Sequence, residues 1–255
     1  MQVRWNGTGS AWATHFGNSS AVLEAEGARL LFDCGHTVPS RLPGLGLTLA
    51  DIPAVFISHL HGDHVYGLEE FGFRSFLLWK TRPHLLIPES LALSLWRNVL
   101  SGTMTRAGET LMILRDYFEI HLLQEDKPYH FAPWTLTIHP VRHVPNVACY
   151  GVKIEAGSSS VGFTADTLAD ADPFFYKGTQ AVFHDCSFSP YTPSTVHAHF
   201  EQLEDYPEEF RRKTFLVHYD DETLNRKLDP AWQKRLSHSQ MRLTEPFFCY
   251  EFQGG

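Results

Sequence analysis

The chain has 255 residues, of which 43% are hydrophobic and 20% are charged. This composition is typical of a globular protein with a large core, and the length suits one domain over residues 1–255. The formal net charge is −8 with histidine counted as neutral. That charge argues against a broad basic surface for a long nucleic acid, though not against a local basic patch.

The cysteines and the N-terminus indicate where the protein works. The four cysteines are widely separated and form no CxxC pair, which is typical of reduced thiols in the cytosol. The first residues contain no apolar signal core. No stretch approaches the roughly 20 apolar residues that span a bilayer. We therefore expect a cytoplasmic protein that has no membrane partner.

The first part of the chain predicts short strands separated by glycine and polar turns. Strands are expected at residues 3–5, 20–25, 29–32 and 54–58, the second and third forming a hairpin across Glu26 and Gly27. A helix is expected to start within residues 65–71. Residues 89–100 follow Pro88 and carry apolar side chains at helical spacing, which predicts a further helix.

The rest of the chain alternates between expected strands and helices. Strands are expected at residues 135–141, 150–155, 160–163, 181–183, 214–217 and 247–252. Helices are expected at residues 168–176, 194–204 and 208–212. Several of the strands end on histidine or aspartate. We therefore expect two central sheets with helices outside, and a site at one edge where strand ends meet.

The densest group of metal-type side chains follows the strand expected at residues 54–58. It runs His59-Leu60-His61-Gly62-Asp63-His64. Two histidines separated by one residue in an extended segment can direct both rings to the same side. Imidazole and carboxylate together suit zinc, and also iron or manganese. The alternative is a helix cap formed by Asp63 with incidental histidines, but four ligand-type residues in six positions favour a metal site.

This run resembles the His-x-His-x-Asp-His signature of the metallo-β-lactamase superfamily, and in particular the branch that contains RNase Z and related phosphodiesterases. Further motifs extend the resemblance over nearly the whole chain: Arg142-His143 ahead of Tyr150-Gly151, Phe163-Thr164-Ala165-Asp166-Thr167, His184-Asp185-Cys186-Ser187-Phe188, Val196-His197-Ala198-His199-Phe200 and Phe215-Leu216-Val217-His218-Tyr219. The resemblance implies an α/β fold, namely a four-layer αββα sandwich of two mixed sheets with helices outside.

The resemblance also implies two divalent metal ions, zinc by preference, with manganese or iron as alternatives. The ligands would be His59, His61 and His143 for the first ion, Asp63, His64 and His218 for the second, and Asp166 as a bridge. Two ions about 3.5–4 Å apart can activate a shared water as a bridging hydroxide and clamp the oxyanions of a phosphodiester.

Three of these ligands depend on the ordered series of motifs. A lone histidine at position 143 is more often a surface or hydrogen-bonded core residue. Asp166 before Thr167 is more often a helix cap, and His218 on an apolar strand can be a core histidine. Together and in order, the three favour the metal site.

The same resemblance suggests which residues act on the substrate, beside Asp63. His197 is the candidate to steady the phosphate or to protonate the leaving group, because the pKa of histidine lies near working pH. His199 is the alternative. Asp185 would stand behind His184, and His184 is either catalytic or a partner of a ligand.

Residues 90–102, 196–200 and 214–219 resemble phage and bacterial phosphodiesterases of this fold, which cleave cyclic nucleotides, including antiviral signals. The resemblance implies hydrolysis of a cyclic nucleotide or another small phosphodiester by a homodimer, in which one protomer helps to close the pocket of the other. tRNA is not expected as a partner, because the chain is acidic and has no basic arm between His64 and His143. Core packing is the expected use of Trp96, Tyr117 and Phe118, although each can stack a base.

Three other functions remain open on the sequence. The first is an RNase Z-like endonuclease that acts on RNA. The second is a hydrolase of lactones or carbon esters, because one metal pair can polarise a carbonyl and fold alone does not decide function. The third is a metal-stabilised binding protein without catalysis, which predicts lost ligands, and none is missing from the motifs.

Overall fold

The computed structural model describes residues 1–253. In that part of the chain the strands, named β1 to β16 in order, are Gln2–Gly7, Ser20–Ala25, Ala28–Phe32, Ala54–Phe56, His84–Pro88, Arg106–Ala107, Thr110–Leu111, Glu119–Leu123, Tyr129–Phe131, Trp134–Val141, Cys149–Ala156, Ser159–Phe163, Ala181–Asp185, Thr214–Val217, Arg242–Leu243 and Cys249–Glu251.

The helices lie between these strands and are short. The α-helices, named α1 to α10, are Val38–Arg41, Gly62–Val65, Leu68–Arg74, Glu89–Ser94, Ser101–Met104, Leu114–Tyr117, Phe200–Leu203, Glu208–Arg212, Thr223–Arg226 and Pro230–Ser239. Short 3₁₀ segments cover Leu42–Leu45 and Leu49–Asp51, and wider π-type turns cover Ser75–Trp79 and Leu95–Leu100. Within residues 1–253, no helix has the length and apolar character to cross a membrane.

Two mixed sheets form the centre of the described chain. The first has the strand order β16-β1-β2-β3-β4-β5-β8, and the second has the order β15-β14-β13-β12-β11-β10-β9. In both sheets the strands are parallel toward one side and antiparallel toward the other. The parallel strands β3, β4, β5 and β8 belong to the first sheet, and β12 to β15 belong to the second.

The two sheets pack face to face through aromatic side chains. Trp5 of β1 lies 6.0 Å from the ring of Phe163 and 5.1 Å from the ring of Phe183, both in the second sheet. Phe32 of β3 stacks on Phe163 at 4.4 Å. All four side chains are buried, and each buried aromatic stabilises the fold by about 1.5–3 kcal/mol. This packing brings the strand ends of both sheets to a common edge.

The expected sandwich of two mixed sheets is confirmed, and most strands lie where the sequence predicts them. The hairpin at residues 20–25 and 29–32 forms as β2 and β3. The strands expected at residues 135–141, 150–155 and 160–163 form β10, β11 and β12. Tyr117 and Phe118 are fully buried, so both side chains pack in the core.

Two expected helices are wrong. Residues 168–176 form turns, because Pro173 has no N–H to donate and disfavours a helical Asp172 before it. In the region 194–204 only Phe200–Leu203 is helical. Thr195 Oγ1 donates to the carbonyl of His197 at 3.1 Å, and such local side-chain bonds compete with helix formation.

Candidate metal centre

At the site, three strands are followed by residues in the left-handed backbone region. Asp33 follows β3 with φ 54°, Ala165 lies after β12 with φ 53°, and His218 follows β14 with φ 65°. This conformation costs a residue with a side chain about 1–2 kcal/mol. Each turn lets the chain leave its strand abruptly, and such strained positions cluster at functional sites.

The first group of metal-type side chains joins the two sheets. It consists of His59, His61, His143 and Asp166, whose ligating atoms all lie within 4.8 Å of one another. His143 Nε2 lies 3.1 Å from His61 Nδ1. Asp166 Oδ2 lies 3.7 Å from both His59 Nε2 and His143 Nε2. The sequence predicts these four residues as the ligands of one ion, and the fold brings all four together.

The second group shares Asp166 with the first. It consists of Asp63, His64, Asp166 and His218, again with ligating atoms within 4.8 Å. His64 Nε2 lies 3.2 Å from Asp63 Oδ2 and 3.3 Å from Asp166 Oδ1. His218 Nε2 lies 3.3 Å from Asp63 Oδ2 and 3.3 Å from Asp166 Oδ2. Asp166 therefore lies between two clusters, as expected of a bridging carboxylate.

The chemistry of these atoms fits divalent metal ions. His59 Nε2 and His64 Nε2 are buried without a hydrogen-bond partner among the described residues. Leaving a buried polar atom unpaired costs about 1–3 kcal/mol, yet both nitrogens face the Asp166 carboxylate. Imidazole nitrogens and carboxylate oxygens converging on shared points are the donor set of zinc and related ions.

Burial and the clustered carboxylates move the histidine pKa values in opposite directions. Burial lowers the pKa of His61 and of His143. Burial would also lower the pKa of His218, but the Asp166 carboxylate and the hydrogen bonds that His218 donates to Asp185 and Asp63 outweigh it and raise this pKa to about 10. Burial would raise the pKa of Asp166, but His218 and His64 beside it hold that pKa well below its usual range. Metal ions must therefore compete with a proton at His218.

Hydrogen bonds behind the ligands fix the direction of their rings. His64 donates from Nδ1 to Asp33 Oδ2 at 2.7 Å, and Asp33 also accepts from the backbone and hydroxyl of Ser58. His143 donates from Nδ1 to the carbonyl of Val196 at 2.7 Å. Each bond directs Nε2 into the site. Asp33 was not identified from the sequence as a partner of a ligand. Its position directly after an apolar strand, like that of the predicted ligands, is the signal that could have found it.

His197 and Asp185 lie beside the second group. His197 donates from Nδ1 to Asp185 Oδ2 at 2.8 Å, and its ring lies 4.7 Å from that of His218 and 4.9 Å from that of His143. Burial would lower the pKa of His197, but the Asp185 carboxylate outweighs it and raises the pKa. Thr167 donates its backbone N–H to Asp185 at 2.8 Å, which holds the carboxylate in place.

His184 and His199 lie elsewhere. Side chains alternate along β13, so Asp185 faces the site and His184 faces the rings of Tyr206 and Phe210, at 5.7 Å and 6.3 Å. The fold thus does not bring His184 to the metal-type residues, contrary to a direct catalytic role. His199 bonds through Nδ1 to the Ser189 carbonyl and through Nε2 to a threonine hydroxyl, both at 2.7 Å. His197, not His199, faces the site.

A cavity of about 330 Å³ opens beside the clustered ligands. It is lined by Ala11, Trp12, His36, His61, Gly62, Asp63 and Tyr66. Two of these residues, His61 and Asp63, belong to the two ligand groups. The cavity is therefore a route by which a small molecule can reach the metal-type side chains.

Solved structures share this fold at low sequence identity. The metallo-β-lactamase fold protein YhfI from Bacillus subtilis matches with TM-score 0.75 and 18% identity over 98% of both chains. The short form of human tRNase Z matches with TM-score 0.72 and 19% identity, covering 99% of this chain and 100% of that chain. Both likenesses show that the chain has the metallo-β-lactamase fold.

Sequence comparison gives a narrower result. The model of the family described as anti-Pycsar protein Apyc1 matches residues 1–241. The anti-Pycsar protein Apyc1 of Paenibacillus harenae is 35% identical in an alignment 255 residues long, which covers 98% of this chain and 100% of that protein. The protein of the same name from Bacillus phage BSP38 is 37% identical in an alignment 232 residues long, which covers 86% of this chain and 89% of that protein. The chain therefore belongs to the anti-Pycsar protein Apyc1 family.

Proposed function

We propose that the protein is a metal-dependent phosphodiesterase that hydrolyses cyclic nucleotides. The observation that carries the proposal is the pair of ligand groups that share Asp166 at the edge of both sheets. Paired metal sites of this kind are common in enzymes that cleave phosphoester bonds.

The two groups would hold two divalent ions, with zinc as the proposed metal and manganese or iron as alternatives. The first ion would take His59, His61, His143 and Asp166, and the second would take Asp63, His64, Asp166 and His218. Bound ions would supply Lewis-acid stabilisation of the phosphate charge and an activated water. The chain's own contribution is to fix seven side chains before substrate binds, through bonds such as that of His64 to Asp33.

His197 would act as the proton donor to the leaving oxygen. The protonated form of this histidine is favoured, because the Asp185 carboxylate lies 2.8 Å from its Nδ1 and raises its pKa. Its Nε2 is then free to donate to a substrate oxygen. Asp185 is a positioning residue, since it orients the ring and stabilises its charge, and His184 has no part in this step.

The proposed substrate class follows from the family and from the site. Anti-Pycsar proteins degrade cyclic nucleotides. The cavity of about 330 Å³ lies in the size range of small-molecule sites, and an acidic chain suits a small phosphodiester better than a long RNA. These features favour a cyclic nucleotide over the RNA and carbon-ester alternatives.

We also propose that the chain forms one domain, works in the cytoplasm, and assembles as a homodimer. Several large apolar side chains are exposed in one part of the sequence, namely Leu77, Leu78, Leu93, Leu111 and Ile113. Exposed apolar side chains are typical of protein interfaces where they lie together in one patch. Sedimentation of the purified protein tests this arrangement, and a monomer at all concentrations would exclude it.

The function is tested by turnover of bis-(p-nitrophenyl) phosphate and of a panel of 3′,5′-cyclic nucleotides. Zinc or manganese is added in one series and a chelator in the other, and His61→Ala serves as the ligand-deficient control. We expect metal-dependent cleavage by the wild-type protein and loss of cleavage in the variant. Metal-loaded protein that cleaves neither substrate class would contradict the proposal, and lactones and RNA would then be the substrates to assay.

A further inference from the structure

Two exposed aromatic rings border the cavity that leads to the metal-type residues. Trp12 is 90% exposed and Tyr66 is 62% exposed, and both line the cavity together with His61 and Asp63. A large aromatic ring left in water forgoes the stabilisation that burial would give it. Rings of this kind beside a ligand cavity are typical of stacking sites.

The loop that carries Trp12 is held in place although the ring itself is exposed. Asp221 accepts the backbone N–H groups of Thr14 and His15 at 2.8 Å and 3.0 Å, and Arg41 donates to the carbonyl of His15 at 3.1 Å. These backbone bonds lower the pKa of Asp221 against the opposing effect of burial. Because the loop is already ordered, a ligand that stacks on Trp12 loses little affinity to loop ordering.

The ring of Tyr66 owes its position to a missing side chain. It lies over Gly62, where an added Cβ would come within 2.3 Å of Tyr66 Cε2. Gly62 lies between His61 and Asp63, which belong to the two ligand groups. The glycine therefore lets an aromatic ring lie next to the metal-type residues, at the side where the cavity opens.

We propose that Trp12 and Tyr66 form the base-binding site of the substrate, with the nucleobase stacked on one or both rings. This inference rests on the proposed function, because it requires the phosphate of a cyclic nucleotide to bind at the metal-type residues. The base then lies within the cavity that those residues share with Trp12 and Tyr66. Every nucleobase has a flat π-face, and stacking on an aromatic side chain is a common way to bind it.

The test compares a 3′,5′-cyclic nucleotide with the 3′,5′-cyclic phosphate of ribose that lacks a base. Both substrates carry the same scissile bond, so only the base distinguishes them. The variants are Trp12→Ala, Trp12→Phe and Tyr66→Ala. The matched control is Phe174→Ala, since Phe174 is 81% exposed and lines a different cavity with Pro173 and Lys177.

For Trp12→Ala we expect kcat/KM on the cyclic nucleotide to fall about 10- to 100-fold, mainly through a higher KM. Tyr66→Ala should lower it in the same way. Hydrolysis of the base-free substrate should be unchanged, Trp12→Phe should keep most of the activity, and Phe174→Ala should behave as wild type.

Other outcomes separate the two proposals. If Trp12→Ala cleaves both substrates as wild type does, or loses equal activity on both, the base site is overturned while the proposed function stands. If the variant changes its oligomeric state in sedimentation, Trp12 belongs to an interface between copies of the chain, and the base site is again overturned. If metal-loaded wild-type protein cleaves neither substrate, the proposed function fails and the base site fails with it.

Discussion

The Asp185 carboxylate connects two histidines that differ in their proposed tasks. Its Oδ2 accepts from His197 at 2.8 Å, and its Oδ1 lies 3.5 Å from His218 Nδ1. His197 is proposed to donate a proton, whereas His218 is proposed to bind metal in its neutral form. One buried carboxylate can serve both histidines, because it stabilises positive charge on one ring and orients the other.

Removing this charge should shift the pH dependence of catalysis. If protonated His197 is the proton donor, kcat falls as pH rises through the pKa of His197, which Asp185 raises. In Asp185→Asn that pKa drops, so the fall in kcat should begin about one pH unit or more lower than in wild type. The measurement is kcat against pH for both proteins, with metal content checked in each. Superimposable profiles at equal metal content would contradict the role of Asp185.

At the scale of elements, the turn after β3 packs directly against the segment that carries the ligands. A Cβ placed on Gly35 would lie 1.9 Å from the backbone oxygen of Asp63. Cys34 and His64 are also joined here, since the N–H of Cys34 donates to the carbonyl of His64 at 2.8 Å. This close contact of two backbones needs a residue without a side chain.

Gly35→Ala should therefore destabilise the protein by about 1–3 kcal/mol, because the two backbones must move apart. The measurement is the free energy of unfolding in denaturant with chelator present, so that metal loss does not contribute. Gly102→Ala is the control, because Gly102 lies in α5 with no atom within 4 Å of an added Cβ, and it should be neutral or slightly stabilising. Equal stability of Gly35→Ala and wild type would show that the contact is not tight.

Elements with a clear local pattern were predictable from the sequence, and those fixed by tertiary contacts were not. The hairpin of β2 and β3 has a short apolar run on each side of a Glu-Gly turn. By contrast, β8 has a mixed pattern of burial along Glu119–Leu123, and its pairing with His84–Pro88 of β5 joins segments far apart in the sequence. The helix expected at residues 194–204 was lost to side-chain bonds of Thr195, which apolar spacing does not reveal.

The site shows the same division between local and tertiary information. Its seven proposed ligands follow strands in ordered motifs, so the sequence alone predicted which residues come together. The bond of His64 to Asp33 and the cavity beside Trp12 depend on loops that meet only in the folded chain. Sequence spacing could not show that His184 faces away from the site, because the register of β13 with β12 and β14 decides which residues lie on each face of the sheet.

At the scale of the whole molecule, the metal groups join the two sheets. The segment from His59 to His64 follows the first sheet, whereas His143, Asp166 and His218 follow strands of the second. Bound metal should therefore stabilise both halves of the fold together. At metal concentrations of 100 to 1,000 times Kd, linkage gives about 2.7–4.1 kcal/mol.

Chelation should then lower Tm by about 5–15 °C, given the size of the chain. The measurement is thermal unfolding with saturating zinc or manganese and with chelator. Asp166→Asn should respond less to added metal than wild type, because it weakens both groups at once. A Tm that is independent of metal in the wild-type protein would contradict the view that the ions link the two sheets.

The most direct test of the central claim is to titrate metal-free protein with zinc or manganese while measuring hydrolysis of a 3′,5′-cyclic nucleotide. Because both ligand groups share Asp166, we expect activity to rise until two ions are bound per chain and then to level off. Full activity in the presence of chelator, or no activity with two ions bound, would contradict a two-metal phosphodiesterase.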